Sequence, residues 1–371
     1  MKRGYPPLRL GLLLLMIALL WRMLGAPITI PQWRALDVPF WQARILLPGR
    51  MERILSLWCG LAGGNAAHTG SQPQTANDEN LILLGAHTDQ PILLQVWNDQ
   101  SGQMETMDLE TYVYGVVAAE MPAAYHMEAL KAQAVAARTR ALYQCGGDGC
   151  QLMQGADVCT GSAHCQGYAA SETLRQRWGN EYRLYQQRLV EAVSSTQGQV
   201  LTYEGEPIVV MYHAISGGKT EDVQAVFAQP LPYLVSVDSA EGEDVRGYRQ
   251  DTVYTLDEAA KLLKDEFPEL AVTAEALRQT LVIASHTDTG RVESLLLCGG
   301  QVDATDFRAA LGLRSTLFTF TMDGDSITFH QTGYGHGVGM SQAGANRMAA
   351  DGNTYEQILN HYYPGTSLEK H

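Results

Sequence analysis

Glu120 is the side chain in this sequence whose surroundings most favour acid–base chemistry. It follows a run of apolar and small residues, and Pro122 lies two positions further on. A proline cannot continue a helix, because it has no N–H and its ring clashes with the preceding turn, but it suits the first turn of the next helix. We therefore predict that Glu120 lies at a corner between two helices. A carboxyl group in a dry corner has a raised pKa and can donate a proton near neutral pH; the alternative is a cap or a surface charge.

The helix predicted after this corner carries two cations on one face. Residues seven apart share a helical face, so Lys131 and Arg138 point in the same direction. They are candidates to bind substrate in a polar cleft beside Glu120. The competing interpretation is a solvated helix face, which is the commoner reason for charges at this spacing.

Two later segments concentrate polar groups in loops, where binding residues often occur. The first follows a predicted strand end and offers His213, Ser216 and Lys219 as substrate-binding candidates; it lacks the glycine spacing of a phosphate-binding loop. The second is glycine-rich and offers Tyr334, His336 and Gln342. Its glycines would let the backbone approach a ligand closely. A tight turn into a helix is the other interpretation of the second segment.

Several of these segments resemble the stage II sporulation protein D family. The resemblance rests on residues 110–142 and on three later blocks at 213–221, 307–315 and 333–342, and it extends over about residues 91–369. The blocks around Glu120 and His336 are the specific ones. The resemblance implies a lytic transglycosylase that acts on peptidoglycan glycan strands freed of their stem peptides, with Glu120 as the catalytic acid/base. It also implies a role in engulfment during endospore formation.

A single carboxylate suffices for that reaction, whereas most glycosidases use two. The acid protonates the glycosidic oxygen and then, as a base, accepts the proton of the sugar's own C6 hydroxyl, which closes a 1,6-anhydro ring. The expected partners are a sporulation peptidoglycan amidase, which removes stem peptides first, and a membrane scaffold protein. The family also includes amidase enhancers, so the rival function is a wall-binding module that activates an amidase and cuts nothing. A zinc hydrolase is a more distant alternative.

The resemblance further implies a zinc site at Cys159, His164 and Cys165, which we interpret as structural. Cysteine and histidine are good zinc ligands. Outside the cytoplasm, however, a disulfide is the ordinary state of paired cysteines. Zinc and a disulfide both stay open for Cys159 and Cys165, and Cys145 with Cys150 is a further candidate disulfide.

Two positions depart from the family pattern. Residues 222–227 stand where relatives tend to carry a tryptophan–glycine step, so an aromatic that stacks on substrate is either missing or supplied by Phe227. Arg140 stands where a tyrosine is common. These differences concern substrate affinity more than the reaction.

Charge and the N-terminal pattern indicate where the protein works. The formal net charge of −14 disfavours a nucleic-acid partner, which normally meets a basic surface. Residues 1–30 combine a basic leader with two apolar runs, and we predict an uncleaved membrane anchor with its N-terminus in the cytoplasm. Residues 31–80 are predicted to be a juxtamembrane region and flexible linker, and residues 81–371 a catalytic domain outside the cytoplasmic membrane.

Helix and strand signals alternate irregularly along that domain, which predicts an α+β fold with a substrate cleft. Asp108 is placed to cap the helix before Glu120, and capping boxes open helices at Thr255 and Thr354. Residues 171–194 are predicted to form one helix.

Overall fold

The computed structural model describes residues 91–151, 153–227 and 230–371. They form an α+β structure, which confirms the predicted class. The predicted anchor and linker lie outside the described residues. Within the described ranges, no helix has both the length and the apolar character needed to cross a membrane.

The first module contains the predicted Glu120 corner. Its elements are β1 Leu93–Asn98, β2 Gln103–Asp108, α1 Leu109–Glu120, α2 Met127–Cys145, β3 Val158–Cys159, α3 Ser171–Trp178, α4 Tyr182–Ser195, β4 Gln199–Tyr203, β5 Glu206–Pro207, β6 Tyr212–His213 and α5 Val223–Phe227. Two strands from the end of the chain, β13 Met340–Ser341 and β14 Ser367–Lys370, also belong to it. These strands form three sheets, ordered β2-β1-β3, β13-β6 and β14-β4-β5.

A second module, which we call the inserted module, follows α5 and has its own hydrophobic core, formed by residues between 256 and 329. Its sheets are ordered β10-β9-β8 and β11-β12-β7. Its elements are β7 Arg249–Thr255, α6 Leu256–Glu266, α7 Ala274–Thr280, β8 Val282–His286, β9 Val292–Leu297, β10 Gly300–Asp303, α8 Ala304–Ala310, β11 Phe318–Asp323 and β12 Ser326–Thr332. The chain then returns to the first module with β13 Met340–Ser341, α9 Gln342–Ala350, α10 Tyr355–Tyr362 and β14 Ser367–Lys370.

Helix α2 is the centre of the first module. Six of its residues are buried alanines, and their small side chains let α1, α4, α9, α10 and β4 approach its axis closely. A helix that is buried on most sides has no single apolar stripe, which is why its charged residues do not mark one solvent face. The helix ends where Gly146 and Gly147 follow Cys145.

Helix α1 begins and ends for local reasons. The side chain of Asp108 accepts hydrogen bonds from the backbone N–H groups of Glu110 and Thr111, as predicted for a cap. Met121 is extended, with φ −123° and ψ 137°, because a residue before proline is excluded from the helical region. Glu120 is therefore the last residue of α1. The prediction that Pro122 opens the next helix is wrong, since α2 begins only at Met127.

The predicted capping boxes are confirmed, whereas the helix predicted over residues 171–194 is not continuous. The capping boxes at Thr255 and Thr354 are both formed: each threonine side chain accepts from the backbone N–H of Glu258 or Gln357, whose side chain accepts from the backbone N–H of the threonine. The single helix predicted over 171–194 is instead two, α3 and α4. Gly179 separates them with φ 50° and ψ −118°, a conformation that glycine adopts far more readily than other residues.

Arg291, just before β9, joins the inserted module to the first one. Its guanidinium is almost fully buried and donates to the Ser216 carbonyl oxygen (Nη2–O 2.6 Å) and to Ser315 Oγ (3.0 Å). It packs against Gly337, where an added Cβ would lie 2.6 Å from its Cζ. The predicted loops around Ser216 and His336 are therefore held by the same side chain.

Candidate active site

Glu120 lies half-buried at the end of α1, facing Gly167 in the cysteine-rich loop, the segment 146–168 that follows α2. Its Oε1 accepts a hydrogen bond from the backbone N–H of Gly167 at 2.6 Å. Burial raises the pKa of Glu120, while the Gly167 N–H and the charge of Arg140 act in the opposite direction. In the described part of the chain, no hydrogen bond reaches Oε2. The geometry leaves one oxygen held and the other available to exchange a proton.

Gly167 permits this contact because it has no side chain. A Cβ at this position would lie 2.9 Å from Glu120 Oε1, closer than a carbon and an oxygen tolerate. The donor comes from a segment 47 residues further along the chain, and nothing in its local sequence indicates that role.

Arg140 is the main charged neighbour of Glu120 that the sequence reasoning did not select. Its positive charge lowers the pKa of both Glu120 and His336, so the two specific blocks share one cation between them. It lies on a different face of α2 from Lys131 and Arg138. Gln133, Ala137 and Arg140, at spacings of four and three residues, form the face that turns toward the site.

That face is tied to the surrounding loops by side-chain amides. Gln166, next to Gly167, donates to the Ala137 carbonyl oxygen at 3.3 Å and accepts from the Tyr212 hydroxyl at 2.9 Å. Tyr212 is buried, and the charge of Glu120 contributes to its raised pKa, after burial itself. The sequence indicates this face of α2 only when the residues three and seven positions before Arg140 are grouped with it.

His336 lies on the glycine-rich loop and is held as a neutral imidazole. Its Nδ1 accepts the Val338 N–H at 3.1 Å, and burial, aided by the charges of Arg140 and other arginines, lowers its pKa to about 4. Phe227 meets its ring edge-on, with centroids 6.1 Å apart. The aromatic that the sequence left unassigned therefore contacts the histidine of the predicted site.

His213 lies beside His336, with ring centroids 5.7 Å apart. Its Nδ1 contacts the Val338 carbonyl oxygen at 3.1 Å, and burial places its pKa well below the usual range. Among the described residues, no hydrogen-bond partner reaches its buried Nε2. The two histidines form a neutral pair that contributes shape and hydrogen-bonding capacity rather than charge.

Arg138 does not line the cleft that the sequence predicted. Arg138 is fully buried and makes a two-pronged ion pair with Glu110, at 2.7 Å and 2.6 Å. Lys131 pairs with Glu128 at 2.8 Å and lies over the Tyr355 ring. The prediction fails for Arg138 because a side chain without exposed surface cannot line a cleft.

The loop after β6 divides between buried and exposed residues. Ser216 is fully buried, and both its N–H and its hydroxyl donate to Glu241 Oε1, at 2.6 Å and 2.5 Å. Lys219 is half exposed and lies 4.0 Å from Asp238 Oδ1. The contacts of Ser216 hold the loop, whereas Lys219 has a side chain free to meet a ligand.

Tyr334 and Gln342 flank the glycine-rich loop on opposite sides. Tyr334 is exposed, and the Arg314 guanidinium lies over its ring at 4.7 Å. Gln342 is nearly buried and donates to Gln133 Oε1 at 3.3 Å. Tyr334 is therefore the accessible member of this block, and Gln342 connects α9 to the face of α2 that carries Arg140.

The cysteine-rich loop gathers three thiols rather than the predicted set. Sulfurs of Cys150, Cys159 and Cys165 are buried and lie within 4.8 Å of one another. Cys165 and Cys159 share a hydrogen bond that lowers the pKa of the Cys159 thiol to about 6. His164 is outside this group, although its charge also contributes to that lowering. Three close thiols match the donors that zinc accepts.

Comparison with known proteins places these features in a family. A family model described as "Stage II sporulation protein" matches residues 98–203, which contain Glu120, α2 and the cysteine-rich loop. The chain is 34% identical over 280 residues to stage II sporulation protein D of Bacillus subtilis, covering 76% of this chain and 80% of that one. It is 33% identical to the protein of the same name from Bacillus amyloliquefaciens, with 76% and 80% coverage.

A more distant similarity extends to a protein of another name. The amidase enhancer of Bacillus subtilis is 27% identical over 301 residues, covering 68% of this chain and 40% of the enhancer. The identity and the coverage of the two stage II proteins are much higher. This chain therefore belongs to the stage II sporulation protein D family.

Proposed function

We propose that this protein is a peptidoglycan lytic transglycosylase that cleaves denuded glycan strands during engulfment, with Glu120 as its single acid/base. The observation that carries the proposal is the half-buried carboxyl of Glu120, which has one oxygen fixed by the Gly167 N–H and a pKa raised by burial. Such a group keeps its proton closer to neutral pH than an exposed glutamate does. The family's established role in sporulation supports the biological setting.

The reaction balances with no second carboxylate. Glu120 gives its proton to the glycosidic oxygen as the bond to the muramyl C1 breaks, and the leaving sugar departs with a free hydroxyl. The muramyl C6 oxygen then bonds to C1, and its proton passes to Glu120, which restores the starting state. Between these steps the carboxylate keeps the hydrogen bond from the Gly167 N–H. Glu120 is thus equipped for both protonation states.

The setting of the reaction is part of the proposal. Residues 1–30 would anchor the protein in the cell membrane, with the catalytic domain on the extracytoplasmic side. An amidase that strips stem peptides would act before it, and a membrane scaffold protein would hold the two together. The printed name of the enhancer relative is consistent with a link between this family and amidases.

A structural zinc ion is proposed for the cysteine-rich loop. Cys150, Cys159 and Cys165 would hold it, and His164, whose charge acts on the Cys159 thiol, is a further candidate. Zinc there would fix the segment from which Gly167 reaches Glu120, and the reaction itself needs no metal. Metal analysis of the purified full-length chain, with thiol counting before and after chelation, distinguishes zinc from a disulfide.

The second candidate function is a non-catalytic amidase enhancer, which the similarity to a protein of that name favours. Mass spectrometry of products from denuded strands separates the possibilities. Anhydro-muramyl ends support the proposed reaction, whereas reducing ends indicate a hydrolase. An absence of products, together with stimulation of an added amidase, supports the enhancer.

A further inference from the structure

Arg140 is a partly exposed cation that no carboxylate of the described residues contacts. Its side chain is partly exposed, and Nη1 donates one hydrogen bond, to the Val210 carbonyl oxygen at 3.3 Å. Among the described residues, no carboxylate oxygen lies within 4.0 Å of it. Arg138, two positions earlier, is instead paired with the Glu110 carboxylate through two of its nitrogens. Because a guanidinium carries five N–H donors, most of those on Arg140 are open to a ligand.

Hydrogen bonds connect this cation to the surroundings of the candidate acid. Arg140 bonds the carbonyl oxygen of Val210, just before β6, and the Tyr212 hydroxyl of β6 donates to Gln166, the neighbour of the Gly167 that holds Glu120. In agreement with that position, the charge of Arg140 acts to lower the pKa of Glu120. Arg140 therefore belongs to the surroundings of the acid and not to a remote surface. A half-buried charge is costly unless a partner pairs with it.

We propose that Arg140 binds the free carboxylate of the lactyl group on a muramyl residue whose stem peptide has been removed. This inference rests on the proposed function, since it identifies the part of the glycan strand that the site reads. Amidase cleavage turns an uncharged amide into a carboxylate at this one position of the sugar. An arginine pairs with a carboxylate through two parallel N–H···O bonds, and an amide cannot accept the charge-assisted pair.

Binding of this carboxylate would also act on Glu120. With its charge balanced by the lactyl group, Arg140 no longer favours the ionised form of Glu120. The carboxyl would then hold its proton more tightly in the complex than in the free protein. A denuded strand would thus be bound and protonated by the same arrangement, whereas a strand with stem peptides gains neither effect.

The test measures binding, so that it does not depend on turnover. Full-length protein carrying Glu120→Gln is titrated with a denuded tetrasaccharide and with the same tetrasaccharide whose lactyl carboxylates have been converted to methylamides. A charge-assisted hydrogen bond predicts that the free acid binds about tenfold or more tightly than the methylamide. Adding Arg140→Gln is expected to abolish that preference, and Arg140→Lys to retain part of it.

Two controls make the outcome specific. Lys261→Gln removes an exposed cation of the inserted module and should leave the preference unchanged, which excludes a general effect of net charge. Denaturation midpoints confirm that the Arg140 variants are folded. If Arg140→Gln, folded, still prefers the free acid to the same degree, the inference is wrong. A different outcome separates the two proposals. If Arg140→Gln loses the preference for the free acid but wild-type protein releases no anhydro sugars, the proposed reaction is wrong and this binding site still stands.

Discussion

The ion pair between Arg138 and Glu110 provides a quantitative test of how α2 is held. Arg138 has no exposed side-chain surface, and that of Glu110 is only 8% exposed. The guanidinium also donates to the carbonyl oxygens of Gln199 (3.1 Å) and Val193 (3.3 Å), so it joins α1, α2, α4 and β4. Arg138→Met would leave the Glu110 carboxylate buried with only a long contact from the Gly198 N–H at 3.4 Å.

Breaking a buried pair by removing one partner costs about 3–5 kcal/mol, because the remaining charge stays desolvated. We therefore expect Arg138→Met to lower the free energy of unfolding by about that amount, and the melting temperature by on the order of 10 °C. Urea denaturation of the full-length chain, followed by tryptophan fluorescence, measures the change. Lys131→Met is the matched control on the same helix: its pair with Glu128 is partly exposed, so its loss should cost about 1 kcal/mol or less.

The double variant Glu110→Leu with Arg138→Met should recover much of the loss, since it removes both buried charges. Activity per folded molecule at low temperature should stay close to that of the wild type. The reasoning is refuted if Arg138→Met unfolds at the wild-type urea concentration and yet binds denuded strands weakly. Arg138 would then contact substrate, as its place in the sequence first suggested.

Three further predictions concern the glycine-rich loop and the candidate acid. Gly337 and Gly290 share a φ of +86°, but of the two only Gly337 would place an added Cβ against Arg291. Gly337→Ala should therefore destabilise the protein by about 1–3 kcal/mol more than Gly290→Ala. Equal denaturation midpoints for the two variants would contradict this prediction. Because burial raises the pKa of Glu120, its proton-donating form is present below that pKa and is lost above it, so kcat/KM should fall on an alkaline limb that lies above the ordinary glutamate range. The same raised pKa means that Glu120 favours folding at low pH, and that this contribution to stability is lost as the pH rises through the pKa of the folded state. Glu120→Gln should therefore be more stable than the wild type at neutral pH. A wild type that is the more stable protein at neutral pH would argue against a raised pKa.

Local rules predicted the parts of the fold that depend on neighbouring residues. Asp108, Thr255 and Thr354 cap their helices because the groups they bond lie two or three positions away. The corner at Glu120 formed for the same reason, since Pro122 restricts the residue before it. The extent of the helix before that corner was thus readable from sequence, whereas the start of α2 was not.

The composition of the site was harder to predict because its contacts are long-range. Gly167 donates to Glu120 from a different segment, and Cys150 joins Cys159 and Cys165 through loop packing rather than spacing. The seven-residue spacing grouped Lys131 with Arg138, although Arg138 is fully buried and Lys131 is partly exposed. The grouping misleads because, on a helix that is buried on most sides, residue spacing does not show which face is exposed to solvent.

Arg140, which we propose to bind substrate, is a departure from the family pattern, since it stands where a tyrosine is common. Its charge acts on the pKa of both Glu120 and His336. Sequence alone could not assign it a partner, since none of the groups that respond to it is adjacent in the chain.

The central claim is that the Glu120 proton drives strand cleavage, and product analysis of Glu120→Gln tests it most directly. The variant keeps the size of the side chain and an oxygen that can accept the Gly167 N–H, but it has no proton to donate at neutral pH. Denuded strands incubated with the full-length variant and with wild-type protein are compared by mass spectrometry at equal folded concentration. The account predicts anhydro-muramyl ends from the wild type and none above background from the variant. Release of these ends by Glu120→Gln at the wild-type rate would contradict it.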